Sequence, residues 1–454
     1  MLKRSSSVPH ESISVQDQNL KRSMGDAACF GGMVGCGETY FPAFALAVGL
    51  GETASGIVAS LPLLVGGILQ LISPRAIEWM GGLQRWIVTG ACLQALAFLP
   101  LAFAAWMDVV SLPLIVLIAS VYWAAGLSTG PAWNTWIEQI VPSARRANFF
   151  SRRSRLQQVC TFASLMVAGY SLQWSASRGA AMFGFAMLFT VAGALRLISA
   201  TFLHRTSSPN RDNLELDGGA PKETTSLADQ TSEGDQRISS TAKRLLIYLV
   251  MMQMFIQFSG PFFVPYMLKH LSLSYGDYVT LISLAFISKV VSVSFWGRVA
   301  ERSGAKRVLW FGGIGLVPLA SLWIVSDNFV WLAITQILSG VAWAAYELGF
   351  FLMFFETLPM AQRTRLLTYY NFANTMALSI GALSGAALLS WMGCCQEAYF
   401  YLFATSSIGR LLCLGLLVGV VMPPHRFSKI RLRFLSVRPG AGSIVSPVVA
   451  SAQK

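Results

Sequence analysis

The chain has 454 residues, of which 54% are hydrophobic and only 12% charged, with 34 Lys and Arg against 21 Asp and Glu. A soluble domain carries roughly 25% charged residues, so this chain lacks the charge to cover a water-facing body of its size. A soluble enzyme, a disordered chain and a nucleic-acid binder are excluded, and the class that remains is a polytopic membrane protein, whose net charge of +13 has to be explained by position.

A helix that crosses the bilayer core needs about 20 mostly apolar residues. The first such run covers 26–48. It is too long for a cleaved signal and lacks an Ala-x-Ala exit, so it is expected to stay as a permanent helix. Further runs follow at 54–73, 85–106, 109–139, 156–174 and 180–203. They are continuous rather than alternating in period two, which excludes a β-barrel. Residues 204–242 are different in kind, with seven acids, many Ser and Thr and no aromatic residue. Such a stretch buries too little apolar area to fold and reads as a flexible linker. Six more runs come after it, at 245–268, 278–296, 308–325, 329–355, 366–391 and 399–421. The expected organisation is a tail over 1–25, a six-helix bundle over 26–203, the linker, a second six-helix bundle over 243–422 and a basic tail over 423–454.

With alternating loops, most basic residues share the face of the N-terminus, beginning with Lys3, Arg4, Lys21 and Arg22. Only Arg178 and Lys269 fall in loops of the opposite face, and Arg196, Lys289 and Arg410 fall inside runs. Excess Lys and Arg mark cytoplasmic loops. The positive charge is therefore an address, and both ends are expected in the cytoplasm.

The halves echo each other. Arg75, Glu78 and Gly81 form R-x-x-E-x-x-G, repeated 223 residues later by Arg298, Glu301 and Gly304. Pro142, Ala144 and Arg146 form P-x-A-x-R, repeated 217 residues later by Pro359, Ala361 and Arg363. Two matches in equivalent loops at similar offsets indicate duplication. Six runs per half preserve orientation, so the repeats are parallel. Convergent loop chemistry is the plainer alternative, with Arg for lipid and Gly and Pro for turns.

The segment Gly297-Arg298-Val-Ala-Glu301-Arg302-Ser-Gly304-Ala-Lys306-Arg307 resembles the cytoplasmic loop signature of the major facilitator superfamily, with Glu301 where that family usually has Asp. In the first-half copy Pro74 replaces the first Gly and Trp79 the Arg. Residues 130–153 also resemble a bacterial branch of the family. The resemblance implies an all-α membrane fold of twelve transmembrane helices in two parallel six-helix pseudo-repeats. It further implies a monomeric secondary transporter of a small organic solute in a bacterial plasma membrane, working by alternating access, with a proton as candidate coupling ion. Gly297, Arg298, Glu301, Arg302, Gly304, Arg307, Arg75 and Glu78 would then form a cytoplasmic gate, because Glu301 can accept bonds from Arg or Lys in one state and lose them in the other.

Ionisable residues at membrane depth are costly and face a cavity or a partner. Here they are Glu38, Glu138, Arg196, Lys289, Glu347 and Arg410. Glu38 and Glu347 are expected to bind a proton or a cationic group, with Lys289 as counter-charge; static pairing is the structural alternative. Glu138 belongs with the gate, and Arg196 and Arg410 read as structural. The resemblance places the first, fourth, seventh and tenth helices around a cavity. Gly126, Gly130, Asn134 and Glu138 share a face of the fourth run at a spacing of four. Tyr40, Asn134, Gln253, Gln257 and Asn374 are the expected cavity residues, with Trp133, Trp136, Tyr346 and Phe350 as aromatic neighbours, since amides with aromatic walls suit a small organic solute. Interhelical hydrogen bonding is the alternative reading of each amide.

The four His lie outside the apolar runs, and no P-loop, His-Glu-x-x-His or Ser-His-Asp set is visible, so no cofactor or resident metal is expected. The seven Cys show no ligand spacing. Residues 121–126 carry no Arg and 156–174 no Pro, a departure from common proton-coupled and drug-exporting members. An uncoupled facilitator or efflux protein, and a membrane sensor without turnover, are the alternatives left open.

Overall fold

The computed structural model describes residues 10–108, 110–141, 143–207, 240–357 and 360–419. Most of the expected linker and the basic tail lie outside the described residues. Helices follow one another with short turns, and no strand occurs among the described residues. A run in lipid must satisfy its backbone polar groups within itself, and a helix does so. Nine helices among the described residues are long and apolar enough to cross a membrane. Three expected crossings fall outside that set for local reasons. The first helix, His10–Cys36, begins with a polar stretch. The fifth, Ser143–Ala176, carries Arg145, Arg146, Arg152, Arg153 and Arg155. The ninth is divided into Ala305–Leu316 and Leu322–Val325, with Pro318 between them. Twelve crossings remain consistent with this order.

The first helix starts sixteen residues before its apolar run, because hydropathy detects the lipid-facing part and misses a polar extension. The other crossings of the first half are Glu52–Leu69, Leu83–Met107, Leu112–Ile140 and Ala181–Arg205. Those of the second half are Ser240–Ser259, Tyr275–Ser303, Phe329–Thr357, Met360–Met392 and Gln396–Val418, together with the divided ninth.

Their packing repeats. In the first half the first helix packs on the fifth and sixth, the second on the fourth, and the third on the fourth and sixth. In the second half the seventh packs on the eleventh and twelfth, the eighth on the tenth, and the ninth on the tenth and twelfth. Adding six to each number of the first set gives the second. Between halves, the second helix meets the eleventh and the fifth meets the eighth. Those two pairs exchange under the same shift, as parallel repeats about one pseudo-two-fold axis require.

Side-chain contacts fix the two ends of the bundle. Arg22 donates to the carbonyl of Arg205, and Gln84 Nε2 donates to the carbonyls of Leu203, His204 and Thr206. These residues mark what we term the linker face. At the opposite, far face the halves are joined by Tyr170 Oη to Thr280 Oγ1 at 3.2 Å, by Gly276 N to Gln173 Oε1 at 3.3 Å and by contacts of Glu52. Farther in, Ser283 Oγ donates to Met166 Sδ at 2.7 Å and the rings of Phe162 and Phe286 stack at 5.3 Å.

The apolar core has the same asymmetry. One cluster spans both halves near the far face and holds Phe41, Phe98, Tyr122 and Phe189 of the first half with Tyr266, Trp323, Tyr399 and Phe403 of the second. Toward the linker face the core divides. Ile87, Trp136, Ile140 and Leu203 form a cluster of the first half alone, and Leu245, Tyr248, Leu309 and Tyr346 one of the second alone.

Candidate functional site

Both halves break their first helix at the same place. The first helix ends at Cys36, and after Gly37 a 3-10 turn, Glu38–Tyr40, leads to the short helix Phe41–Ala47 with Pro42 in its first turn. The seventh ends at Ser259 and continues as a 3-10 turn, Gly260–Phe262. A Pro in the first turn of the next segment lacks only an N–H that would have had no partner, so both breaks are stable. A side chain at Gly37 would collide with Phe98 and Ala192. The break positions Glu38, half-buried, to accept from Tyr122 Oη of the fourth helix at 2.7 Å. The same hydroxyl lies 3.1 Å from Met33 Sδ. Gly260 occupies the matching turn of the second half, which therefore has no equivalent carboxylate.

In the second half Lys289 Nζ of the eighth helix donates to Glu347 Oε1 of the tenth at 2.6 Å, with both side chains buried. The two helices come close at Gly340, where a Cβ would strike the Ala285 carbonyl. Trp343 faces the ammonium at 5.9 Å. The structure thus brings Lys289 and Glu347 together and leaves Glu38 in the other half with its own partner.

The expected cavity residues separate by burial. Asn134 and Gln257 are half-buried. Gln253 is buried, and its Oε1 has no hydrogen-bond partner among the described residues. Asn374 is buried and accepts from Tyr370 Oη at 3.4 Å. Tyr40 is fully buried and donates to the Leu165 carbonyl at 3.0 Å, tying the first helix to the fifth. Tyr346 and Phe350 are core residues of the second half, and Trp136 is core of the first. Helical periodicity finds a face but does not say whether that face meets water or a neighbouring helix. The side chain of Glu138 lies outside the described residues.

Arg75, Glu78, Arg298, Glu301, Arg302 and Arg307 are all exposed at the linker face, and none forms an ion pair among the described residues. Gly297 is buried. Gly81 (φ +71°) and Gly304 (φ +90°) occupy equivalent turns, and both adopt backbone conformations that favour glycine. These two linker-face loops are therefore built alike.

Two polar groupings were not anticipated from the sequence. Asp26, read there as the edge of an apolar run, is buried and takes Arg153 NH2 at 2.6 Å and Ser199 Oγ at 2.7 Å. Arg153, which lies between the fourth and fifth apolar runs, is buried with its guanidinium 4.2 Å over Trp133. Arg196 extends the group by donating to Ser199 Oγ at 2.7 Å and twice to Gln94 Oε1 at 2.9 and 2.6 Å. Arg410, on the last helix of the other half, donates to the Leu316 carbonyl at 2.9 Å and to Ser259 Oγ at 3.0 Å. Arg196 and Arg410 each join the last helix of their half to the first and third, a structural role, and Arg410 Nε is left without a hydrogen-bond partner among the described residues. The second grouping surrounds Glu52 at the far face. An acid just outside the apolar run at 54–73 was the available signal, but its partners come from the distant half of the chain.

Residues 245–450 match the family model of the Major Facilitator Superfamily. No curated protein matches the sequence. Among solved structures, the chain superposes on a bacterial homologue of the iron transporter ferroportin in its inward-facing state with TM-score 0.65 at 14% identity, covering 89% of this chain and 98% of that one. A structure of a bacterial ferroportin homologue in an outward-facing state gives 0.56 at 15% identity over the same shares. A D-xylose-proton symporter gives 0.64 at 14% identity, covering 89% of this chain and 97% of that one.

Proposed function

We propose that this chain, whose residues 245–450 match the Major Facilitator Superfamily, is a member of that family and a secondary transporter moving a small organic solute by alternating access between its two halves. The observation that carries the reading is the divided core. Apolar packing is continuous across the halves near the far face and splits into separate clusters toward the linker face. A body packed in this way can part on one side while it stays shut on the other. Excess basic residues on the linker face assign that face to the cytoplasm, so the conformation described is closed to the outside.

Glu38, Asn134, Gln253, Gln257 and Asn374 are the residues we assign to the solute, with Glu38 as the proton-binding candidate. Its carboxylate, at the break in the first helix, accepts from Tyr122 Oη of the fourth at 2.7 Å, which sets an ionisable group between two of the helices expected to line the cavity. Lys289 and Glu347 neutralise each other, and this favours an uncoupled facilitator as the second reading, should Glu38 prove inert.

A screen of solutes that stabilise the purified protein, followed by flux of the best into proteoliposomes, tests the proposal. Saturable flux with a pH change inside the vesicle is expected. In Glu38→Gln, exchange of solute should persist while proton-linked net uptake falls at least about tenfold. Saturable binding without any flux would contradict transport, and an unchanged proton-linked uptake in Glu38→Gln would remove the role given to Glu38.

A further inference from the structure

Glu52 is the first residue of the second crossing, where Gly51 at φ +89° leads the chain into the helix. Its side chain is 2% exposed. Its hydrogen-bond partners among the described residues all come from the other half. Lys269 Nζ lies 2.9 Å from Oε1, while His270 Nε2 donates to Oε2 at 2.9 Å and Tyr399 Oη donates to Oε2 at 2.7 Å. The donors are themselves braced, since the His270 ring stacks on Tyr266 at 5.9 Å and meets Tyr399 edge-on at 4.6 Å. Three donors from the ends of two helices thus converge on one carboxylate across the interface between the halves.

We propose that Glu52 is the bolt of a far-face gate, and that Lys269, His270 and Tyr399 form a carboxylate-binding cradle which this bolt fills when the gate is shut. The proposal rests on the transport reading above and adds which contact must break for a solute to pass the far face. The chemistry supports it. A buried carboxylate with three donors gains from charge-assisted bonds, and the helix N-terminus on which it sits favours its charge. Lys269 is more than half exposed, so solvent screens its share; His270 and Tyr399 carry the closure. Opening the halves strips Glu52 of all three partners at once and leaves the cradle open to a carboxylate from solution.

The protein holds its own reporter of closure, because Thr53 Oγ1 lies 3.3 Å from Cys394 Sγ across the same seam. The experiment uses the full chain in nanodiscs with Thr53→Cys and Cys395→Ser, and follows cross-linking of the introduced thiol to Cys394 by copper-phenanthroline. It reads conformation without any solute, so its failure is distinct from failure of transport. Fast cross-linking is expected with Glu52 intact. Adding Glu52→Ala should slow it at least about tenfold, because buried donors lose a charged acceptor. Acetate at fixed ionic strength should restore most of the rate by filling the cradle, and chloride should not. Tyr399→Phe, which keeps the ring and removes one donor, should slow it less, and it stands in if the alanine variant does not fold. Cross-linking that is absent with Glu52 intact, a rate unchanged by Glu52→Ala or by its stand-in, or slowing that acetate does not reverse would each overturn the proposal.

Discussion

Lys289 and Glu347 show how a charge is held where lipid would reject it. Their bond at 2.6 Å joins the eighth and tenth helices inside one half. Breaking a buried pair from one side leaves an uncompensated charge and costs ~3–5 kcal/mol, whereas replacing both partners by neutral groups is often close to neutral. Glu347→Gln alone and Lys289→Met alone are therefore expected to lower the unfolding midpoint in detergent markedly, and the double variant to recover most of the loss. If the double variant loses as much as both singles combined, the pair is not the unit described here. At this scale the sequence was informative about which residues are unusual and uninformative about their partners. Glu38, Lys289 and Glu347 stand out as charges inside apolar runs, but that Lys289 belongs to Glu347, and Tyr122 to Glu38, depends on helix rotations that composition does not encode. Asp26 and Arg153 escaped notice because each lies at the edge of a run, where a charge is ordinary.

The helices touch most closely where glycine removes the side chain. Gly31 and Gly35 of the first helix face carbonyls of Gln157 and Thr161 in the fifth, and Gly381 and Gly385 of the eleventh face those of Met254 and Phe258 in the seventh. The two helix pairs are equivalent in the two halves, with the glycines on the first helix in one and on the counterpart of the fifth in the other, and both use small residues four apart, which allow backbones in a membrane to meet. A Cβ at Gly385 would strike the Phe258 carbonyl, while nothing lies within 4 Å of one at Gly130. Gly385→Ala should cost at least ~1–3 kcal/mol of packing and reduce the monodisperse fraction on size exclusion, with Gly130→Ala unchanged. Equal behaviour of the two would contradict the close approach. Most elements were legible from apolar run length alone. The breaks at Gly37 and Gly260 were not, because glycine in a lipid-phase helix marks either a break or a close contact. The polar start of the first helix and the divided ninth were also missed, since hydropathy registers lipid contact rather than helix.

At the scale of the molecule, two loop motifs at offsets of 223 and 217 residues anticipated the parallel repeat, and the packing pattern of the helices reproduces it. The seam between the halves was not legible. Apart from the hydrogen bonds at its far end, the seam of the second helix with the eleventh and the fifth with the eighth includes small and apolar contacts, such as Gly67 against the Thr375 methyl and Gly169 against Val279, that look like any other lipid-phase surface in one dimension. Glu52 reaches Tyr399 across 347 residues of chain, a distance over which no spacing rule operates. The seam is also where function is expected. We propose that a core shared at the far face and split at the linker face closes on the linker side in its other state, with the exposed Arg75, Glu78, Arg298 and Glu301 supplying the contacts.

Reciprocal closure is the central claim, and one measurement tests it most directly. Spin labels introduced by unnatural amino acids at Trp79 and Ser303, which lie beside the gate residues without belonging to them, report the separation of the halves at the linker face by pulsed electron resonance. The far face is locked or released by oxidising or reducing the Thr53→Cys bridge to Cys394. The account predicts a single long distance when the far face is locked, and a second, shorter population when it is released. Identical distance distributions in the locked and released protein would contradict it.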